Sequence, residues 1–204
     1  MPGEYLIMTD SVNEGRRWFL IGASGAVGAV GAAGVAVPFV KSWNPSAKAK
    51  AAGAPIKVDI SKLEPGGRII AEWRSKPVWV VRRTEETLVD LAKVEGSLRD
   101  PNSEQQQQPD YAKNQYRSLR PEILVLVGLC THLGCAPSYR PEVGAADLGG
   151  DEWLGGFYCP CHGSKFDLSG RVYQGVPAPT NLVVPPYMFE SDNVIVVGVD
   201  EEVA

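Results

Sequence analysis

Cys130-Thr131-His132-Leu133-Gly134-Cys135 and Cys159-Pro160-Cys161-His162-Gly163-Ser164 hold every cysteine and every histidine of the chain, four and two respectively. Scatter through a 204-residue sequence would not confine all six to the interval between Cys130 and His162. Each stretch offers a Cys and a His separated by one or two residues, which is metal-ligand spacing. Each then has a glycine, where the backbone must bend sharply. Two thiolates and two neutral imidazoles suit either zinc or an iron–sulfur cluster, and the spacing alone leaves both open. Four core cysteines with two surface histidines would be the ordinary alternative.

Outward from these boxes the pattern is that of a β protein. The apolar run Ile123–Gly128 leads straight into Cys130, and Gly156–Tyr158 leads into Cys159. Further strand-like runs are Ile56–Ile60, Arg68–Trp73, Val78–Arg82, Lys165–Leu168, Leu182–Val184, Tyr187–Phe189 and Val194–Val199. A short helix is expected after Thr84, with Glu85 and Glu86 in its first turn and Leu88 and Leu91 on one face. Frequent Gly (22) and Pro (16) between short strands predict a mainly β fold, an antiparallel sandwich or small barrel. Residues 96–119, polar and carrying Gln105–Gln108, read as a surface insertion. With 22% charged residues and a net charge of -4, no basic face dominates, and nucleic acid is not expected as a partner.

The N-terminal part is different. Trp18 to Val40 carries no charge and is mostly Gly, Ala and Val. As a helix it spans about 34 Å, enough for a hydrocarbon core of about 30 Å, so a single transmembrane anchor over residues 18–40 is expected. Five glycines (Gly22, Gly25, Gly28, Gly31, Gly34) would weaken a soluble helix but let another helix approach closely in a bilayer. Just before it, Arg16-Arg17-Trp18-Phe19-Leu20 resembles the twin-arginine export signal, R-R-x-F-L, which carries folded proteins across a membrane. Loop charge does not decide the orientation, because four lysines (Lys41, Lys48, Lys50, Lys57) follow the span and two arginines precede it. The export signal places residues 1–17 in the cytoplasm. Residues 41–56 read as a hinge linker: fully extended they reach about 55 Å, and as a random coil roughly 20–24 Å. A packed helix on their Ala-rich part is the alternative. Residues 57–204 are expected to form the head, with both Cys/His boxes in a subdomain over about 128–180.

The boxes C-T-H-L-G-C and C-P-C-H-G-S resemble those of the Rieske iron–sulfur proteins of cytochrome bc complexes (ubiquinol–cytochrome c reductases). Gly175-Val176-Pro177-Ala178-Pro179 resembles that family's proline-rich loop over the cluster, and the anchor, the linker and the run from Ile56 to Thr84 also fit. The resemblance implies one Rieske-type 2Fe-2S cluster in an antiparallel β-sandwich domain. Cys130 and Cys159 would bind one iron, His132 and His162 the other, and Cys135 and Cys161 would form a disulfide suited to an oxidising compartment. Ser164 aligns with a serine that donates to a bridging sulfide. The implied function is acceptance of an electron from ubiquinol at cytochrome b and its delivery to a cytochrome c-type haem subunit, coupled to proton translocation. The implied setting is a dimeric multisubunit complex in the bacterial inner membrane, with the head in the periplasm and the anchor in the lipid bilayer. Leu133, Pro177 and Pro179 are candidates for a docking surface, or are ordinary loop packing. Other classes are a soluble Rieske ferredoxin, which typically lacks the disulfide pair and anchor; the small subunit of arsenite oxidase; the plastoquinol-oxidising relative; and a purely structural disulfide protein.

The ligand types carry the chemistry. Replacing two thiolates by neutral imidazoles makes a cluster less negative and easier to reduce; such centres lie at about -150 to +300 mV, against about -400 mV for all-cysteine plant-type ferredoxins. Only the upper range accepts electrons from quinol. Each imidazole also leaves one ring nitrogen free to exchange a proton, which marks His162 as the catalytic candidate and His132 as the second. Where the family commonly has a tyrosine donating to a cysteine sulfur, this chain has Phe166. The missing hydroxyl predicts a potential at the lower side of the respiratory group. Phe166→Tyr should therefore titrate at a higher midpoint potential than the parent, and an unchanged or lower midpoint would refute the argument.

Overall fold

The protein's structure is a computed structural model that describes residues 13–199. Residues 1–12 of the expected cytoplasmic segment and 200–204 of the expected head lie outside the described residues. The chain forms two compact units, Met1–Ala49 and Lys50–Ala204.

The first unit is dominated by α1 (Glu14–Ser42). Asn13 caps it, its side chain accepting from the Arg16 N–H at 3.1 Å, and Glu14 and Lys41 sit at the ends their charges favour. The cap explains why the helix starts before the uncharged stretch. α1 is long and apolar enough to cross a membrane, and no residue in it is buried. The expected linker is not uniformly irregular. Ala47–Ala52 form α2, opened by Ser46, whose hydroxyl accepts from the Ala49 N–H at 3.1 Å. Alanine and lysine are good helix formers, yet a helix of this length is marginal by itself.

The second unit begins with β1 (Ile56–Asp59), β2 (Arg68–Trp73) and β3 (Lys76–Arg82), followed by α3 (Glu85–Lys93). Thr84 caps α3 by accepting from the Thr87 N–H. Then come β4 (Ile123–Val127), β5 (Ser138–Arg140), β6 (Gly156–Cys159), β7 (Ser164–Asp167), β8 (Tyr187–Ser191) and β9 (Val194–Val197). They form three antiparallel three-stranded sheets in the orders β1-β9-β8, β2-β3-β4 and β5-β6-β7, and no closed barrel. The fold is mainly β, as expected. Every residue of β4 is buried, so it reads as a continuous apolar run without alternation. One core cluster draws on all three sheets. At its centre Trp79 of β3 stacks on Phe157 of β6, ring centroids 5.1 Å apart. Gly128 makes room for this stack: a Cβ there would lie 2.2 Å from Trp79 Cε2.

Three expectations need correction. Leu182–Val184 belongs to no strand; Pro185 and Pro186 follow it and cannot donate to a ladder. Ser138–Arg140, which carries no apolar alternation, is a strand because β6 pairs with it. Residues 96–119 are not a surface insertion, since Leu98, Ser103, Ala112 and Arg117 are all buried. The polar composition misleads because the segment supplies interior hydrogen bonds. Arg117 donates to the carbonyls of Ser169, Gly170 and Leu182 and to Gln108 Oε1. Arg83 reaches the same turn through Leu168 O and Ser169 Oγ, and Arg171 pairs with Asp167 at 2.7 Å. Burial pushes Arg83 and Arg117 down to about 10, still charged at neutral pH.

Arg117→Met would leave three buried carbonyls without that donor and should cost about 3 kcal/mol or more. Asp192→Asn, which breaks an exposed pair with Arg120 at 3.1 Å, should cost under about 1 kcal/mol. Unfolding of the purified chain monitored by circular dichroism separates the two; equal losses would remove the interior role of the 96–119 segment.

Candidate metal centre

Two loops build the site, and both are turned by the same backbone device. In the first, which follows β4, the Cys130 carbonyl accepts from the Gly134 N–H at 2.9 Å, and the Cys130 N–H donates to Cys135 O at 2.7 Å. In the second, the hairpin between β6 and β7, the Cys159 carbonyl accepts from the Gly163 N–H at 2.9 Å. Each loop thus closes from a cysteine to the glycine four residues on. Gly134 (φ 79°) and Gly163 (φ 76°) both adopt the left-handed conformation that makes the turn. The two motifs differ in where histidine stands but not in where glycine stands.

The loops face each other. The rings of His132 and His162 meet edge to face, centroids 4.8 Å apart. A disulfide joins Cys135 to Cys161 across a sequence separation of 26. Cys130 and Cys159 remain free thiols, 3% and 2% exposed, whereas His132 is half-buried and His162 exposed. The donor set is therefore layered, with sulfur inside and imidazole toward solvent. The sulfurs of Cys135, Cys159 and Cys161 lie within 4.8 Å of one another. That group is no metal site by itself, because two of its members are spent in the disulfide and offer no thiolate.

Burial pushes the Cys130 thiol up, and the His132 backbone N–H and the Ser164 hydroxyl pull the other way. A bound cation is what turns such interior thiols into thiolates. Two buried thiols and two outward imidazoles fit mixed sulfur–nitrogen ligation of a binuclear iron centre; an all-cysteine cluster lacks the donors here.

A third segment closes the site. Ser164, buried at the start of β7, accepts from the Ala178 N–H at 3.0 Å, within the Gly175–Pro179 stretch. Thr131 donates to Thr180 O at 2.7 Å, tying the first loop to the same segment. Thr131 was not singled out from sequence; a hydroxyl between a ligand Cys and a ligand His was the available signal. Leu133 is 71% exposed, and Pro177 and Pro179 are exposed beside these loops. Phe166 is fully buried on β7 opposite Phe157.

Because the disulfide closes a long loop, its loss should cost about 3–4 kcal/mol in the chain-entropy account. A Cys135→Ser/Cys161→Ser chain should bleach its visible absorbance at lower temperature than the parent. Identical bleaching curves would show that the bridge does not hold the loops.

Residues 104–187 match the family model of the Rieske [2Fe-2S] domain, and residues 8–46 match that of the ubiquitinol-cytochrome C reductase Fe-S subunit TAT signal. The ubiquinol-cytochrome c reductase iron-sulfur subunit of Allochromatium vinosum is 56% identical over 97% of this chain and 95% of its own length. The subunit of the same description from Bradyrhizobium diazoefficiens is 42% identical over 90% of this chain and 94% of its own. A solved structure of a hyperthermophilic respiratory Complex III contains a chain 28% identical, covering 84% of this chain and 96% of that one, with a TM-score of 0.46. With two free buried thiols beside two outward imidazoles, and with such identity along nearly its full length, the chain belongs to the ubiquinol–cytochrome c reductase iron–sulfur subunits, the oxidoreductase components that carry a Rieske [2Fe-2S] cluster.

Proposed function

We propose that this chain takes one electron from ubiquinol at cytochrome b and delivers it to a cytochrome c-type haem subunit. Its head would move on the linker between the two partners within a dimeric complex. In this reading α1 is the anchor in the bacterial inner membrane, residues 1–17 are cytoplasmic, and the head lies in the periplasm. What supports it most directly is the layering of the site: buried Cys130 and Cys159 beneath half-buried His132 and exposed His162. The family match adds the partner class, and the long exposed apolar helix suits an anchor.

The [2Fe-2S] cluster supplies one-electron chemistry when bound. Cys130 and Cys159 would hold one iron from the interior side, and His132 and His162 the other from the solvent side. A ring bound through one nitrogen presents the other outward. The exposed ring of His162 then accepts a hydrogen bond from quinol and holds the proton that accompanies the electron; His132, more shielded, is second in line. Ser164 accepts one hydrogen bond, from Ala178, and its hydroxyl acts on the Cys130 thiol, so it would favour the more negative state there. Leu133, Pro177 and Pro179 give the rim an apolar collar that excludes water on docking.

The linker sets the range of motion. α2 shortens the chain relative to a fully extended one, since a helical residue rises about 1.5 Å rather than about 3.3 Å. The arsenite-oxidase alternative gains no support from the family match.

The experiment is purification from native membranes with antibody to this chain. Haems of b and c type should accompany it, and the reduced sample should give an EPR spectrum of low average g value. Zinc in place of iron, or no haem, would end the proposal. Several prolines inserted between Ala47 and Ala54 should slow quinol–cytochrome c turnover while leaving that spectrum unchanged, and unaltered turnover would remove the role of the hinge.

A further inference from the structure

Four lysines follow the apolar span, a placement the positive-inside tendency disfavours for a translocated flank. The other flank does not compensate, because residues 1–17 hold three acidic side chains against two arginines. From Gly15 to Val58 there is no Asp or Glu at all, so the lysines have no local carboxylate to pair with. Lys57 finds one at a distance, Glu190 at 2.5 Å. Lys41, Lys48 and Lys50 are exposed and form no ion pair among the described residues. Beside them stand exposed Phe39 and Trp43, the latter 84% exposed. Tryptophan seeks the headgroup level of a bilayer, which would bring the lysines to the same depth. Lys48 and Lys50 lie about 200° apart around α2, yet long lysine stems bend toward one plane.

We propose that Lys41, Lys48 and Lys50 bind the headgroups of anionic phospholipids and so hold the linker on the membrane surface. The proposal rests on the reading of α1 as a membrane span. Unpaired cations next to an interfacial tryptophan, with every neighbouring carboxylate absent, form the charge complement of an anionic lipid surface and of no side chain in this stretch. The linker would then exchange between a lipid-bound state and a free one, and the free fraction sets how far the head ranges. Ionic strength governs that fraction, because screening shortens to about 3 Å at 1 M salt.

The test uses the full chain with its cluster in vesicles of brominated phosphatidylcholine, alone or mixed with phosphatidylglycerol. Trp18→Phe and Trp43→Tyr remove the exposed indoles while keeping an interfacial aromatic at 43, and Ala51→Trp places a reporter in the last turn of α2; Trp73, Trp79 and Trp153 are buried. Quenching of the reporter by the bromine should deepen about two-fold when phosphatidylglycerol is present. It should return to the phosphatidylcholine level in high potassium chloride, or when Lys41, Lys48 and Lys50 are all changed to Gln. Equal quenching in both lipids, or quenching indifferent to salt and to these substitutions, would overturn the proposal while leaving the span intact. Extraction of the chain by alkaline carbonate would overturn the span reading, and the proposal with it.

Discussion

The site depends on holding two thiols in the interior and two imidazoles at the surface within a few ångströms of each other. The two preferences differ, since a free thiol packs in the interior as a small apolar group while a polar imidazole is best hydrated at the surface. Two short loops satisfy both. Each begins at a buried cysteine on the end of a core strand, turns at a glycine, and leaves its histidine outward. The closing bond from cysteine carbonyl to glycine N–H is the same in both loops.

Loops of this kind are exposed and would fluctuate without support. Support comes from three directions: the Cys135–Cys161 disulfide between the loops, the Ser164 and Thr131 hydrogen bonds to residues 178–180, and the packed strands beneath. The strands in turn rest on the Trp79–Phe157 stack, which needs Gly128 bare. Behind β7, the turn at 167–171 is held by three buried arginines, whose donors saturate carbonyls that no ladder reaches. Rigidity at the two loops is thus inherited from hydrogen bonding well inside the second unit.

Much of this was legible in the residues. The confinement of all Cys and His to two boxes located the centre, and the uncharged stretch after Arg16-Arg17 located the long helix. The Thr84 cap placed α3. The polar segment 96–119 defeated a reading by composition, because Arg117 and Ser103 are polar and yet fully buried. Hydrophobicity reports where water is excluded only when the polar groups lack partners, and here the partners lie some 50 residues away or more, at Ser169, Gly170 and Asn181. β5 was invisible for a related reason: its strand character comes from β6, not from its own side chains.

Read alone, the amino-acid order establishes the turn glycines and the apolar helix and names the candidate ligands, since all three rest on side-chain chemistry and local spacing. The folded chain was needed to show that the thiols are buried where the imidazoles are more exposed, that bonds at Ser164 and Thr131 tie both loops to residues 178–180, and that a polar stretch builds part of the interior. Those are consequences of which distant residues meet, and contact across the fold leaves no trace in local pattern.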